Sequence, residues 1–285
     1  MISEIISAIV FEGHTLMLKE IMSVAVFLGV IVAVYAVEGH LIIGVIKSKR
    51  KGQGIPKRFW SGRAVVIHLL AIVGVICLLY GHFIEPYWIE VKTVEVPTNK
   101  LHQTIMRIVQ ISDTHCTWKP GNEKKLVEII NRLKPDVIVF TGDSANNLKG
   151  LKRFKETMGK LEARLGKFAV RGNIDADFWP GVDIFGGTGF VELDGNSIEV
   201  KKDGEKIWIT GVSCEKEGKA GDVLKKVPDD CFSVFLYYFP DLVEDLNGLN
   251  VDLYLAGHTH GGQIALPFYG AIITLSKFGK KYESG

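Results

Sequence analysis

Gly257-His258-Thr259-His260-Gly261-Gly262 follows directly on the apolar run at residues 251–255. Two imidazoles flanked by glycines rarely serve packing, and glycine lets a backbone turn sharply while leaving room for a substrate. The same arrangement, polar residues immediately after an apolar strand, recurs upstream. Asp113 and His115 follow residues 105–111, Gly142-Asp143 follows 137–140, and Gly172-Asn173 follows 168–170. In α/β sheets, sites form beyond the carboxyl ends of strands. Singly, each upstream pair also reads as a simple turn, with His115 a surface imidazole. Together the four gather two carboxylates, three imidazoles and an amide at one edge of the fold. Hard oxygen and imidazole donors without thiolate suit Mn, Fe, Zn or Mg.

Working outward from these strand ends, residues 122–134 read as a helix with Leu126, Val127, Ile129, Ile130 and Leu133 on one face, stopped by Pro135. Residues 137–140 are wholly apolar, the pattern of a strand buried on both faces. A second helix is expected over 151–165, with Gly166 as its C-cap. Residues 190–193, 197–200 and 206–211 read as strands joined by Asp194-Gly195-Asn196 and Asp203-Gly204, both hairpin signals. Apolar strands return at 234–238 and 251–255, and alternation over 89–96 suggests a further early strand. The layout predicts an α/β domain, a two-sheet β-sandwich flanked by helices.

The chain has 285 residues, a formal net charge of +2 and 47% hydrophobic residues. The charge gives no sign of a nucleic-acid partner. The apolar excess lies in the first 84 residues, as two spans at about 21–46 and 64–84, each long enough to cross about 30 Å of hydrocarbon. Buried core helices are the alternative reading. Against it stands the intervening loop, with Lys47, Lys49, Arg50, Lys51, Lys57, Arg58 and Arg63 and no acidic residue. The positive-inside rule places that loop in the cytoplasm and everything after the second span on the extracytoplasmic face. Glu4, Glu12 and Glu20 against Lys19 agree with this, and no basic n-region marks a cleaved signal peptide. Residues 1–84 are thus read as a membrane anchor, 85–104 as a linker and 105–285 as the metal-site domain. Glu38 and His40, costly inside a span, read as a helix end, a bend or a helix contact, and two spans are too few for an alternating-access transporter. Cys77, Cys116, Cys214 and Cys231 lack C-x-x-C spacing and read as packed thiols, with a reservation for Cys116 beside His115.

Asp113-Thr-His115, Gly142-Asp143, Gly172-Asn173 and Gly257-His-Thr-His260-Gly-Gly-Gln263 resemble the motifs of the calcineurin-like metallophosphoesterase family. The Gly-Gly-Gln ending and the preceding anchor resemble its membrane-bound bacterial branch, which includes phosphodiesterases and a lipid A enzyme, UDP-2,3-diacylglucosamine hydrolase. The resemblance implies two divalent metal ions. Asp113, His115 and His260 would hold the first, Asp143 would bridge both, and Asn173 and His258 would hold the second. Ions about 3.5–4 Å apart clamp phosphate oxygens and activate a water for in-line attack. The implied partners are a membrane and a phosphoester or pyrophosphate substrate, with a lipid-linked one in view. Two positions depart from the family pattern. Ile174 stands where a His follows Gly-Asn, and Tyr238 stands where a His ligand to the second metal precedes Phe239-Pro240. Loss of general-acid help is worth about 10²–10⁴ in rate, and phenol is a reluctant ligand for most divalent ions. These departures put the second ion in doubt and open a second expectation, a catalytically impaired relative that binds metal or phosphate as a scaffold or sensor. The sequence leaves open whether an imidazole from elsewhere, such as His102 or His14, approaches the second metal position. The ending Lys281–Gly285 reads as a truncation that leaves strand edges uncovered.

Overall fold

The computed structural model describes residues 18–262, 264–266 and 268–283. The expectations placed on Glu4, Glu12, His14 and Gln263 lie outside the described residues. The described chain divides into two units, Leu16–Glu90 and Val91–Gly285.

In the first unit, α1 (Leu18–Arg50) and α2 (Gly62–Phe83) are each long and apolar enough to cross a membrane. Their apolar side chains, Val26, Val32, Ile72 and Leu78 among them, are exposed rather than packed in a core, so the buried-helix alternative fails. Helix α1 runs unbroken through Glu38 and His40, because a lone Gly39 costs a helix only about 1 kcal/mol. Glu38 is a helix contact, with its Oε2 2.5 Å from His68 Nδ1 of α2, while His68 Nε2 lies 3.0 Å from the Phe59 carbonyl. The Tyr35 hydroxyl donates to the Ala71 carbonyl at 3.0 Å. Only glycine fits beside that phenol at position 74, where a Cβ would lie 2.5 Å from its oxygen.

The second unit is built on two four-stranded sheets. One runs β1 (Ile108–Ile111), β2 (Val137–Phe140), β3 (Gly166–Ala169), β4 (Phe190–Glu192), all parallel. The other runs β5 (Asn196–Lys202), β6 (Glu205–Gly211), β7 (Phe232–Leu236), β8 (Leu253–Leu255), antiparallel only at β5–β6. A short hairpin, β9 (Ala265–Leu266) with β10 (Gly270–Ala271), lies beyond the second sheet in the chain. Side-chain alternation sorts the layers. Val137 and Val139 of β2 meet Ile207, Ile209, Val234 and Leu236 of the second sheet in one core cluster. Ile138 and Phe140 point the other way, into a cluster with Ile130 of α3 (Glu123–Leu133) and Leu151, Phe154 and Met158 of α4 (Leu148–Met158). On the far side, Phe235 and Tyr237 pack with Ala220, Leu224 and Leu242. The result is the predicted α/β sandwich, sheet on sheet with helices outside.

Several local expectations fail. Residues 89–96 form no strand. Helix α4 ends at Met158, and Gly166 opens β3 at φ +147° instead of capping a helix. The Asp194-Gly195-Asn196 turn joins β4 of one sheet to β5 of the other, so it is a crossover between sheets and not a hairpin. Asp203-Gly204 is a true hairpin turn, with φ of +51° and +84° in the left-handed region that the tight connection requires.

Asp136 ties the two sheets together at the end where β2 begins. It is 1% exposed, accepts from the Arg107 N–H at 2.8 Å and from Lys202 Nζ at 2.9 Å, and forms an ion pair with Arg164. Burial alone would push its carboxyl up. The Arg107 N–H and the two cations more than offset that, and the net shift is downward. A carboxyl lowered on folding contributes stability above its unfolded value near 4, and that stability is lost as pH falls through the folded value. Asp136→Asn is therefore expected to lower the unfolding free energy by about 2 kcal/mol at neutral pH. In melting curves the deficit should shrink below about pH 4; an unchanging deficit would show that charge plays no part.

Candidate metal centre

All six candidate residues lie just past strand ends at one rim. Beyond β1 the chain stays beside the loop after β2: the N–H groups of Asp113, His115 and Cys116 donate to the carbonyls of Gly142, Asp143 and Ser144 at 2.9–3.1 Å. That register sets Asp113 and Asp143 side by side. The Gly257 N–H donates to the Tyr238 carbonyl at 3.0 Å, which brings the loop after β8 against the end of β7. Close approach demands glycine here, since a Cβ on Gly257 would lie 2.0 Å from Ser112 Oγ and 2.5 Å from Asp113 Oδ2. Five of the six candidates are non-glycine residues at positive φ: Asp113 (51°), His115 (40°), Asp143 (60°), His258 (73°) and His260 (50°). Such conformations cost about 1–3 kcal/mol each and collect at functional sites. The sixth, Asn173, opens the short helix α5 (Asn173–Phe178).

Asp113, His115 and His260 each place one donor atom within 4.8 Å of the others. His260 Nε2 is 3.3 Å from Asp113 Oδ1 and 3.2 Å from His115 Nε2. His115 Nε2 is 4.0 Å from Asp113 Oδ1 and 3.6 Å from Asp143 Oδ2. Ligands at about 2.1 Å in a tetrahedron stand roughly 3.4 Å apart, so Asp113, His115 and His260 suit one ion, with Asp143 Oδ2 adjoining them beside His115. Asn146 Oδ1 lies 2.9 Å from His115 Nδ1. Accepting that proton leaves the lone pair on Nε2, the tautomer a ligand needs. Burial pushes the Asp143 carboxyl well above the carboxylate range, with the charges of Asp175 and Asp113 adding to the rise. A cation between the carboxylates is the natural remedy.

The other candidates are differently engaged. The His258 N–H donates to both Asp113 oxygens at 3.2 Å. Its buried ring stands edge-on to Tyr238 and Phe239, with centroids 5.1 and 4.6 Å away. Tyr238 is 1% exposed, and its hydroxyl donates toward Asp113 Oδ1 at 3.0 Å and to Asp143 Oδ2. The Ile174 N–H donates to Asp143 Oδ1 at 3.0 Å. The second set of donors therefore has a phenol where an imidazole is expected. His102 does not supply one: its N–H donates to Glu205 at the start of β6, the opposite end of that sheet. Cys116 is packed in the helix-side core, its thiol pushed up to about 11 by burial, which removes the reservation about it.

Two residues escaped sequence reasoning as parts of the site, Asn146 and Asp175, as did the hydrogen bonds of Tyr238. Asp175 is fully buried and accepts from the N–H groups of Asp143 (2.8 Å), Ser144 (2.9 Å) and Gly172 (3.2 Å) and from the Ser144 hydroxyl. Its bond to Gly172 is half of a capping box for α5, and an acid three residues after Gly172 is a signal the sequence does carry. Burial pushes its carboxyl up despite these bonds.

A strand-end metal site on this sandwich marks a metallophosphoesterase. The chain belongs to the calcineurin-like phosphoesterase family, whose profile matches residues 106–262, and it is thereby a hydrolase acting on phosphoester bonds. It is 33% identical over 220 residues to the uncharacterized metallophosphoesterase YkuE of Bacillus subtilis, covering 72% of this chain and 76% of that one. It is 24% identical to the UDP-2,3-diacylglucosamine pyrophosphatase LpxG of Chlamydia trachomatis, covering 68% and 76%. A transmembrane protein with metallophosphoesterase domain from Danio rerio is 26% identical, covering 69% of this chain and 50% of that protein.

Asp175→Ala would leave three buried N–H groups without their acceptor. The expected loss is about 3 kcal/mol of stability, read as a melting shift of several degrees. A variant that melts like the unmodified chain would show that other groups hold the loops.

Proposed function

We propose that the chain is a membrane-anchored, metal-dependent phosphoesterase that hydrolyses phosphodiester or pyrophosphate bonds of lipid-linked or nucleotide–lipid substrates. The observation that carries the reading is the convergence of Asp113, His115 and His260 with Asp143 at one rim. These four would hold a divalent ion, with Asn173 and His258 the remaining ligand candidates. When bound, such an ion polarises a phosphoryl oxygen and lowers the pKa of water. The chain's own residues set the site: Asn146 fixes the His115 tautomer, the Ile174 N–H orients Asp143, and Gly142 and Gly172 let the loops after β2 and β3 approach closely. At position 174 an aliphatic side chain has no proton to give. Bonds with good leaving groups, such as the phosphoanhydride of a nucleoside diphosphate lipid, suit this site best.

Support for the anchor comes from α1, α2 and the basic loop between them, read with residues 1–84 as anchor, 85–104 as linker and 105–285 as catalytic domain. Loop charge favours an extracytoplasmic domain. The pyrophosphatase named among the relatives lends weight to a lipid-linked anhydride. Ile174 and Tyr238 favour a second reading, an impaired relative that binds metal or phosphorylated ligand as a scaffold.

With Mn²⁺ added, the full chain in detergent is expected to turn over bis-p-nitrophenyl phosphate and a UDP-lipid. Activity no higher than that of Asp143→Asn would leave the scaffold reading standing. Ile174→His should raise turnover of diesters with poor alkoxide leaving groups by about 10²-fold and change UDP-lipid cleavage far less. An equal gain on both would argue against a missing acid. Asn146→Ala should weaken Mn²⁺ binding by about 10–100-fold, measured by titration calorimetry; unchanged affinity would remove its orienting role.

A further inference from the structure

Tyr238 is placed where the donors for a second ion should meet. Its hydroxyl contacts Asp113 Oδ1 and Asp143 Oδ2, the same two oxygens that face His260 and His115. A carboxylate oxygen has two lone pairs. On Asp143 Oδ2, an ion held with His115 would use one, and the Tyr238 hydroxyl takes the other. Asp143 Oδ1 accepts the Ile174 N–H at 3.0 Å. Oδ2 is thus fully used, and a second ion would have only the remaining lone pair of Oδ1. Space is short as well. The Tyr238 ring presses on the loop after β2, where a Cβ on Gly142 would lie 2.4 Å from Tyr238 Cδ2. The His258 ring is packed edge-on against that same phenol and Phe239.

The geometry points to a single-ion centre on Asp113, His115, Asp143 and His260, in which the Tyr238 hydroxyl stands in for the second ion and holds the two carboxylates together. This rests on the metal-centre reading above. It makes Tyr238 a positioning residue. The hydroxyl, by giving a hydrogen bond to each carboxylate in turn, supplies the attraction that a bridging cation would otherwise provide.

The test uses the full chain in detergent, loaded with Mn²⁺ and freed of excess ion. Elemental analysis is expected to find about one ion per chain, against about two for a paired centre, with the EPR spectrum of isolated Mn²⁺. Tyr238→His should raise the content toward two and give a spin-coupled spectrum. Tyr238→Phe should keep about one ion with affinity weakened by about tenfold. Two coupled ions in the unmodified chain would overturn the single-ion centre while leaving the metal site standing. No bound ion would overturn the site itself and this inference with it. A Tyr238→His chain that melts normally yet still holds one ion would overturn the role given to the hydroxyl. So would a visible charge-transfer band in the Fe³⁺-loaded chain that vanishes in Tyr238→Phe, since Tyr238 would then be a ligand. The count in the unmodified chain decides the matter even where a variant fails to fold.

Discussion

Two carboxylates that cannot comfortably stand together govern this domain. Asp113 and Asp143 are brought side by side by the register between the loops after β1 and β2, with Asp143 buried and Asp113 partly exposed. Repulsion between them has to be answered by positive charge or by hydrogen bonds. Nearly every unusual feature of the rim is such an answer. The Ile174 and His258 N–H groups and the Tyr238 hydroxyl all point at these two side chains. The strained backbone at five positions is what it takes to aim that many groups at one spot.

How much of this is legible in the sequence depends on the range over which each signal acts. The strand at Val137–Phe140 is read to the residue, because a four-residue apolar run between Pro135 and Gly142 has no other use. The strand-end motifs are legible because they repeat one local rule. What cannot be read is pairing. Asp194-Gly195-Asn196 has the chemistry of a hairpin turn, yet nothing local says that the strands on either side belong to different sheets. Gly166 follows a helical pattern and reads as its cap, but the helix has already ended and the glycine serves the entry to β3. Asn146 is inconspicuous for the same reason: its partner lies 31 residues away, and a hydrogen bond at that separation leaves no mark on composition or period. Asp175 shows only its local bond to Gly172, while its bonds to Asp143 and Ser144, 32 and 31 residues away, leave no such mark.

The substitutions at 174 and 238 act on different parts of the chemistry. At 174 the backbone N–H keeps its place on Asp143 while the side chain loses any part in proton transfer. At 238 the side chain keeps a polar atom in the middle of the site but turns it from a metal donor into a hydrogen-bond donor. One change weakens help to the leaving group. The other alters what fills the site. On the proposed reading, a centre altered in both ways would retain the Lewis-acid half of the family's chemistry, which is the half that anhydride cleavage needs most.

Asp136, at the far end of the sandwich, has a wider meaning. It joins β1, β2 and the second sheet at the end opposite the reactive rim, so the anchor of the fold and the seat of the chemistry share no residues. Changes at two such distant places combine additively. A change of side chain at the rim thus leaves the Asp136 tie between the sheets intact. The scaffold is therefore free to wander between efficient enzyme, selective enzyme and simple binder while its architecture stays the same.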